Sequence, residues 1–177
     1  MNPSVDCVIF LDIDGVLNRL HIPEADLMLD DDTVIDTSHT AHPSLYLPCL
    51  RQFKAMLETL GPNAKIVISS SWRSDTDLIE FFKKIMDNEF GEGLLADRII
   101  GDTNSIHGDS RSSDITDWLN INVPEGRRVA WIALDDVAFN LEHIDSEHKV
   151  ITHDLVGLTE ADVTSAISKI NHQKATI

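Results

Sequence analysis

The apolar positions of the chain form two alternating patterns. Short continuous apolar runs at residues 8–11, 66–68 and 129–134 predict strands that are buried on both faces. Between these runs, apolar residues recur at helical spacing, and the clearest such helix runs from Leu50 to Leu60 before Gly61-Pro62. This alternation favours a mostly parallel sheet with helices on both faces.

Weaker patterns complete the alternation. Two short apolar runs, at residues 99–100 and 150–152, predict further strands, and the second of them is an edge candidate. Further helices are predicted at three places, namely after Ser74, over residues 112–120 and after the capping residue Thr159. The sequence therefore predicts an α/β three-layer sandwich with a mostly parallel sheet of roughly five strands, in a single domain over residues 1–177.

The segment of about residues 19–43 stands outside the alternation. Two short apolar runs flank the acidic residues 30–32 within it, and we interpret the segment as a small β-hairpin flap. The three aspartates lack the central glycine and periodic oxygen ligands of a calcium loop, which favours a solvated turn. The spacing of the remaining elements leaves no room for a large inserted domain that could cover a site.

Composition narrows the classes of function. The chain has 14 basic and 30 acidic residues, a net charge of -16, which disfavours an extended nucleic-acid footprint and binding to an anionic membrane. No leader pattern is visible, and no apolar run approaches the ~20 residues of a membrane helix. Two cysteines cannot build a disulfide framework and fit a reducing compartment, so we expect a cytoplasmic protein. The sequence does not indicate the oligomeric state.

Carboxylates follow the two strongest predicted strands. Asp12 and Asp14 come directly after the first, and Asp135-Asp136 end the second. Ligands of open α/β sheets bind beyond the carboxyl ends of the strands, and clustered ionised carboxylates repel one another unless a cation neutralises them. Helix capping would explain one aspartate at each strand end, but not two. The pattern therefore indicates a Mg²⁺ site, because this hard cation prefers oxygen ligands.

The spacing of Asp12 and Asp14 suits a division of labour. Two residues apart on an extended chain, their side chains point to the same face, and Gly15 allows a sharp turn directly afterwards. One carboxylate could then attack while the other transfers protons.

Four segments resemble the motifs of the haloacid dehalogenase (HAD) superfamily. Residues 8–18 resemble its first motif, residues 66–73 its second, Arg111 ahead of a helix its third, and residues 131–136 its fourth. They occur in the order of that family. The tail at residues 157–159 is similar to a HAD subgroup, some members of which occur in RNA-repair proteins. The resemblance implies a HAD-like Rossmannoid fold without a large cap.

The resemblance also implies residue roles. Asp12 would be the nucleophile that forms an aspartyl-phosphate, and Asp14 would be the general acid/base. Ser70 would hydrogen-bond the phosphoryl group, with Ser69 as the alternative if the register shifts, and Arg111 would offset its negative charge. Mg²⁺ would be held by four residues, namely Asp12, Asp135, Asp136 and Asp14 through its backbone carbonyl.

Several assignments stay open at this point. The third motif usually has lysine, and Lys83 and Lys84 rival Arg111, but both fall in the middle of a predicted helix. Trp72 and Arg73 either contact the substrate or pack under the sheet, with Arg73 in an ion pair. We expect four residues to contribute to substrate binding, namely Gly15, Ser69, Ser71 and Arg73.

The eight histidines show no zinc-motif spacing. His21 and His107 are the two that are best placed to approach the site from loops.

The sequence thus predicts a Mg²⁺-dependent phosphatase that hydrolyses a phosphomonoester, either a small molecule or a terminal phosphate. Two alternatives remain, a polynucleotide-end phosphatase and a non-catalytic HAD-like domain that binds a phosphorylated partner. Degenerate relatives would be expected to lose the nucleophile or the acid/base, and the chain retains both Asp12 and Asp14.

Overall fold

The computed structural model describes residues 5–37, 43–95, 97–103 and 110–177, and it contains seven strands and five α-helices within them. In chain order the elements are β1 (Cys7–Leu11), α1 (Glu24–Met28), β2 (Thr33–Ile35), β3 (Ser44–Tyr46), α2 (Leu47–Leu60), β4 (Ala64–Ile68), α3 (Thr76–Phe90), β5 (Ile99–Asp102), α4 (Arg111–Asn122), β6 (Ala130–Asp135), β7 (Lys149–Ile151) and α5 (Glu160–Thr176). Short 3₁₀ turns cover Ser71–Ser74, Ala138–Leu141 and Ser146–His148.

Five strands form one parallel sheet in the order β5-β4-β1-β6-β7. The central strand β1 pairs with β4 on one side and β6 on the other, with Ile9 opposite both Ile66 and Ile132. The chain therefore builds the sheet outward from β1 in two directions, which makes β1 the switch point where ligands bind in such sheets. The predicted five-stranded sheet, with β7 at an edge, is confirmed.

Both faces of the sheet are buried. Along β1, Cys7, Ile9 and Leu11 face a core formed with α2, α3 and α5, and Val8 and Phe10 face a second core formed with α4. This period-2 alternation of buried side chains explains why the strand reads as a continuous apolar run. The three-layer sandwich is thus confirmed.

Most predicted helix boundaries agree with the structure. Helix α2 ends at Gly61 in a left-handed conformation (φ 87°), and Thr159 with Asp162 forms the capping box of α5. Helix α3 begins one residue later than predicted, after the cap Asp75, because Ser74 belongs to the preceding 3₁₀ turn. None of the helices in the described ranges combines the length and apolar character that crossing a bilayer requires.

A small antiparallel hairpin is present, as predicted, but its first arm was wrongly placed. Strand β2 pairs with β3, whereas the apolar residues 27–29 lie at the end of the short helix α1. Residues 24–28 are mostly good helix formers after Pro23, while Thr33-Val34-Ile35 is β-branched throughout. The pairing also extends past residue 43, since Val34 lies opposite the buried Leu45. The residues 38–42 that link the two arms lie outside the described ranges.

Two of the three acidic residues 30–32 form ion pairs with arginines. Arg19 forms an ion pair with Asp30, and Asp32 pairs with Arg51 across 3.4 Å. One Asp30 oxygen also accepts the backbone N–H of Asp32 at 3.0 Å. The structure thus gives these residues a place in a turn that precedes β2.

Candidate active site

The carboxyl ends of β1 and β6 bring three of the predicted aspartates together. Leu11 is paired with Leu134, so Asp12 and Asp135 stand side by side, and the Asp12 N–H donates to the Leu134 carbonyl at 3.0 Å. One carboxylate oxygen from each of Asp12, Asp135 and Asp136 lies within 4.8 Å of the others. We refer to these three residues as the carboxylate cluster.

The cluster is electrostatically costly. Asp12 and Asp135 are 4% and 1% exposed, and Asp136 is half-buried. Burial raises the pKa of Asp12 to about 7, against the pull of Arg111 and with a further increase from Asp135. Burial also raises the pKa of Asp135 and of Asp136 above their ordinary value, and for Asp136 the neighbouring Asp135 adds to the effect. Three converging oxygen donors that resist ionisation fit a hard divalent cation, which would relieve the cost.

Arg111 reaches the cluster from the first turn of α4. Ser110 caps this helix by accepting the Ser113 N–H at 3.2 Å. The Arg111 Nη1 atom lies 2.5 Å from Asp12 Oδ2 and 3.2 Å from Asp135 Oδ2, and it also donates to the Ser69 carbonyl. Its guanidinium therefore contacts two carboxylates, Asp12, for which the family resemblance implies the role of nucleophile, and Asp135, for which it implies that of metal ligand.

The rival lysines are placed elsewhere. Lys83 forms an ion pair with Glu80 at 2.7 Å on the surface of α3, and Lys84 is exposed on the same helix. Of the three candidates for the third motif, Arg111 alone forms ion pairs with the cluster in the described structure.

Three serines after β4 face three different partners. The fully buried Ser70 hydrogen-bonds the Asp12 carboxylate and lowers the pKa of that group. The Ser69 hydroxyl instead accepts a hydrogen bond from the Thr103 hydroxyl at 3.3 Å, at the end of β5. Ser71 is exposed and donates to Asp14 Oδ2 at 3.3 Å. Of the two alternatives for the second motif, Ser70 is the one beside the predicted nucleophile.

Asp14 lies beside the cluster, but its carboxylate has other partners. It accepts hydrogen bonds from the Asn18 amide at 2.9 Å and from the Trp72 indole at 3.1 Å. Its side chain is not part of the group of three converging carboxylates. The Asp14 carboxylate is thus held outside the cluster, and the metal contact of its backbone carbonyl, which the family resemblance implies, stays a prediction.

Gly15 is required by the close approach of the loop to Asp136. Its φ is 68°, and a Cβ atom at this position would lie 2.3 Å from Asp136 Oδ2. The Gly15 carbonyl accepts a hydrogen bond from the buried Thr152 hydroxyl at 2.8 Å. The structure thus gives Gly15 a packing contact, and its predicted contact with substrate stays a prediction.

The segment after β7 closes over the same loop. Leu158 N–H donates to the Val16 carbonyl at 2.8 Å, and Leu20 N–H donates to the Asp154 carbonyl at 2.7 Å. Gly157 has a φ of 74°, and a Cβ there would lie 2.5 Å from Cys49 Sγ and 3.0 Å from the Val16 carbonyl. Residue 157 must therefore be glycine if the segment after β7 is to pack on the loop that follows β1, which we call the first-motif loop.

The other predicted contacts take structural partners. Arg73 lies 3.3 Å from Asp114 in a largely buried ion pair, the arrangement that the packing alternative predicts. The Trp72 side chain is buried. His21 is exposed, adopts a left-handed conformation with φ 59°, and pairs with Asp154 at 3.4 Å. His107 lies outside the described ranges.

Asn140 orients Asp135 and was missed by sequence reasoning. Its side-chain amide donates to both Asp135 oxygens, at 3.0 and 3.3 Å, while its backbone carbonyl accepts a hydrogen bond from the Ser112 hydroxyl at 2.7 Å. The Val137 N–H also donates to Asp135 Oδ1, at 2.9 Å. The signal in the sequence is an asparagine five residues after a strand-ending aspartate, which is weak without the fold.

Comparison with known proteins places the chain in a family. The family model described as the HAD domain in Swiss Army Knife RNA repair proteins matches residues 8–163, which include the cluster, Asp14 and Arg111. Searches of curated proteins and of solved structures found no significant match. Because the family model covers most of the chain, the protein belongs to the family of HAD domains in Swiss Army Knife RNA repair proteins.

Proposed function

We propose that the protein is a Mg²⁺-dependent phosphatase that hydrolyses a phosphomonoester through an aspartyl-phosphate on Asp12. One observation carries the proposal, the convergence of Asp12, Asp135 and Asp136 at the switch point of the sheet with Arg111 in contact. Membership of a HAD family supports hydrolase chemistry at these positions.

The cluster and the Asp14 carbonyl would hold the cation. When bound, Mg²⁺ would supply the positive charge that keeps Asp12 ionised and offsets charge on the phosphoryl oxygens. This matters for Asp12 because burial raises its pKa to about 7, and a protonated carboxyl does not attack phosphorus.

The first half of the reaction uses Asp12 and Asp14 in opposite roles. A carboxylate oxygen of Asp12 attacks phosphorus and forms a P–O bond, while the ester P–O bond breaks. Asp14, in its protonated form, transfers its proton to the departing oxygen, which leaves as an alcohol. Arg111 and Ser70, both in contact with Asp12, would bind the phosphoryl oxygens that pass between them.

The second half regenerates the protein. Asp14, now ionised, takes a proton from a water molecule as the water oxygen attacks phosphorus. The bond between phosphorus and Asp12 breaks, inorganic phosphate leaves and the Asp12 carboxylate is restored. Two acids suffice for this cycle because phosphoryl transfer depends mainly on positioning and charge neutralisation.

The site favours an accessible phosphate on a small molecule or at a chain end. Between β1 and α2 the described residues form only α1 and the small hairpin. The family description favours, as a second candidate, the phosphate at an RNA terminus. The net charge of -16 disfavours a long duplex footprint but leaves local contact at one terminal phosphate.

Turnover of p-nitrophenyl phosphate with and without Mg²⁺ tests the proposal directly. We expect Mg²⁺-dependent release of nitrophenol by the wild type and by Asp117→Asn, an exposed carboxylate on α4. We expect none from Asp12→Asn. A panel of small phosphomonoesters and 3′- and 5′-phosphorylated oligonucleotides then ranks the two substrate classes. A folded wild type that turns over no member of the panel with Mg²⁺, or an active Asp12→Asn, would contradict the proposal.

A further inference from the structure

Asp14 is held by three uncharged donors, which we call the Asp14 cradle. The Trp72 Nε1 atom lies 3.1 Å from both Asp14 oxygens, the Asn18 Nδ2 atom lies 2.9 Å from Oδ1, and the Ser71 hydroxyl lies 3.3 Å from Oδ2. Trp72 is the member that touches both oxygens and therefore fixes the plane of the carboxylate.

The position of the Trp72 indole is set by the core. Its backbone N–H donates to the buried Ser70 hydroxyl at 3.4 Å, in the 3₁₀ turn that follows β4. Its ring is 4% exposed and packs against Phe81 with 6.4 Å between centroids. A buried indole N–H needs an acceptor, and Asp14 supplies it from the neighbouring strand end.

Asn18 is equally fixed. Its Oδ1 atom accepts the Gly15 N–H at 2.8 Å, so its Nδ2 atom must face Asp14. The same amide also donates to the Ser44 carbonyl at 3.1 Å, where β3 begins. The cradle thus joins the loop after β1, the turn after β4 and the hairpin.

We propose that Trp72 is a positioning residue, which directs the Asp14 carboxylate toward the leaving oxygen and away from the carboxylate cluster. This inference rests on the proposed function, since it takes Asp14 as the acid/base. Asp14 is only two residues from Asp12, and an unrestrained carboxylate beside a bound cation would be drawn to that cation. A carboxylate coordinated in this way could no longer carry a proton to the leaving group.

The two oxygens of Asp14 have different partners. Oδ1 accepts from two N–H groups, of Asn18 and Trp72, which can only donate. Oδ2 has the Trp72 indole and the exposed Ser71 hydroxyl, and a hydroxyl can rotate to accept instead. A proton on Oδ1 would face two groups that can only donate, whereas a proton on Oδ2 can be accepted by the Ser71 hydroxyl. Oδ2 is therefore the oxygen that can carry the transferred proton.

The variant Trp72→Phe removes the indole N–H but keeps an aromatic ring. With an alkyl phosphate, whose leaving group needs a proton, we expect kcat to fall by about 10- to 100-fold with little change in KM. With p-nitrophenyl phosphate, whose leaving group needs little protonation, we expect less than about a threefold change in kcat. Trp118→Phe is the matched control, because Trp118 is 9% exposed and packs on Phe10 instead of on Asp14.

Kinetic outcomes separate the two proposals. An inactive folded wild type contradicts the proposed function, and this inference with it. If the wild type is active and Trp72→Phe loses the same amount of activity on both substrates, or loses activity on neither, the positioning role alone is contradicted. A leaving-group difference of the same size in Trp118→Phe would also contradict it, since any buried tryptophan would then have the effect.

The NMR signals of the indole N–H groups test the contact between Trp72 and Asp14 directly. This test requires neither turnover nor a folded Trp72→Phe variant. The chain has three tryptophans, so Trp118→Phe and Trp131→Phe assign two signals and leave the third to Trp72. We expect Asp14→Asn to shift the Trp72 indole proton more than the other two, because an amide accepts a weaker hydrogen bond than a carboxylate. A Trp72 signal that does not move in Asp14→Asn would overturn the inference.

Discussion

The carboxylates on the two sides of β1 have different surroundings. On the β6 side, Asp12, Asp135 and Asp136 converge in a buried cluster whose ion pairs come from Arg111. On the β4 side, Asp14 lies in the cradle of uncharged donors that Trp72, Asn18 and Ser71 form.

Under the proposed function, these different surroundings give aspartates different roles in the reaction. A buried group of like charges attracts a cation and yields a nucleophile that the cation keeps ionised. A carboxylate with neutral, directional partners keeps its orientation and can exchange a proton. Asp12 and Asp14 are only two residues apart, so their proposed roles differ because of their surroundings more than because of their place in the sequence.

The largest effect is expected at the nucleophile. Asp12→Asn should lower kcat for every phosphomonoester by roughly 10³-fold or more, because an amide cannot replace the attacking carboxylate. Beryllium fluoride with Mg²⁺, which mimics the aspartyl-phosphate, should raise the melting temperature of the wild type but not of this variant. Equal protection of both proteins in thermal shift measurements would show that Asp12 is not the attacking group.

Asp14→Asn probes the other side of β1. We expect kcat to fall by about 10²- to 10⁴-fold with alkyl phosphates, because the amide cannot supply the proton. The loss should be much smaller with p-nitrophenyl phosphate. Steady-state rates on the two substrates measure the contrast, and equal losses on both would argue against general-acid catalysis by Asp14.

Asp135→Asn changes the cluster without replacing Asp12 or Asp14. We expect the Mg²⁺ concentration for half-maximal activity to rise by about tenfold or more, since one of the carboxylate ligands is lost. The metal-free variant should melt no lower than the wild type, because one of three mutually repelling groups is gone. Asp117→Asn serves as the control in both measurements, and unchanged Mg²⁺ dependence in Asp135→Asn would refute its role as a ligand.

The smallest effect is a pH dependence of Mg²⁺ stabilisation. Burial raises the pKa of Asp12 from 3.8 to about 7, so between these values the folded metal-free protein keeps a proton that the unfolded chain releases. The contribution of Asp12 to stability therefore falls as pH rises through this window, and is constant above it.

Mg²⁺ binding needs the ionised carboxylate, so the gain in melting temperature at saturating Mg²⁺ should grow across the same window. We expect the gain near pH 8 to exceed the gain near pH 5 by about 3 °C or more in thermal unfolding. The raised pKa values of Asp135 and Asp136 act in the same direction. A gain that is the same at both pH values would show that the cluster is ionised without the cation.

The sheet and the cluster could be predicted because their signals are local. Each buried strand is a short apolar run, and the strand ends at 12 and 135 have their aspartates in the next positions. The hairpin was only half predicted, because the partner of β2 is Ser44–Tyr46, a segment with little strand character before a helix. Strand pairing of this kind is decided by contacts that are distant in sequence.

The support around the carboxylates could not be predicted from the sequence. Asn140 and Trp72 act through hydrogen bonds that exist only once separate strand ends have met. Arg111 is the intermediate case, because the family resemblance pointed to a basic residue ahead of a helix, but its usual lysine left Lys83 and Lys84 as rivals. Polar partners depend on the approach of side chains within about 3 Å, a precision that periodicity does not carry.

The closure of residues 152–158 over the first-motif loop has a consequence during synthesis. Strand β1 is translated well before the partners of the loop that follows it. Gly15 precedes its partner Thr152 by 137 residues, and Asp154 and Leu158 follow later still. A nascent chain therefore holds Asp12 and Asp14 long before the loop that contains Asp14 and Gly15 acquires its last hydrogen bonds. The two aspartates are thus made early, and the loop that contains Asp14 is fixed only after the segment that follows β7 has been made.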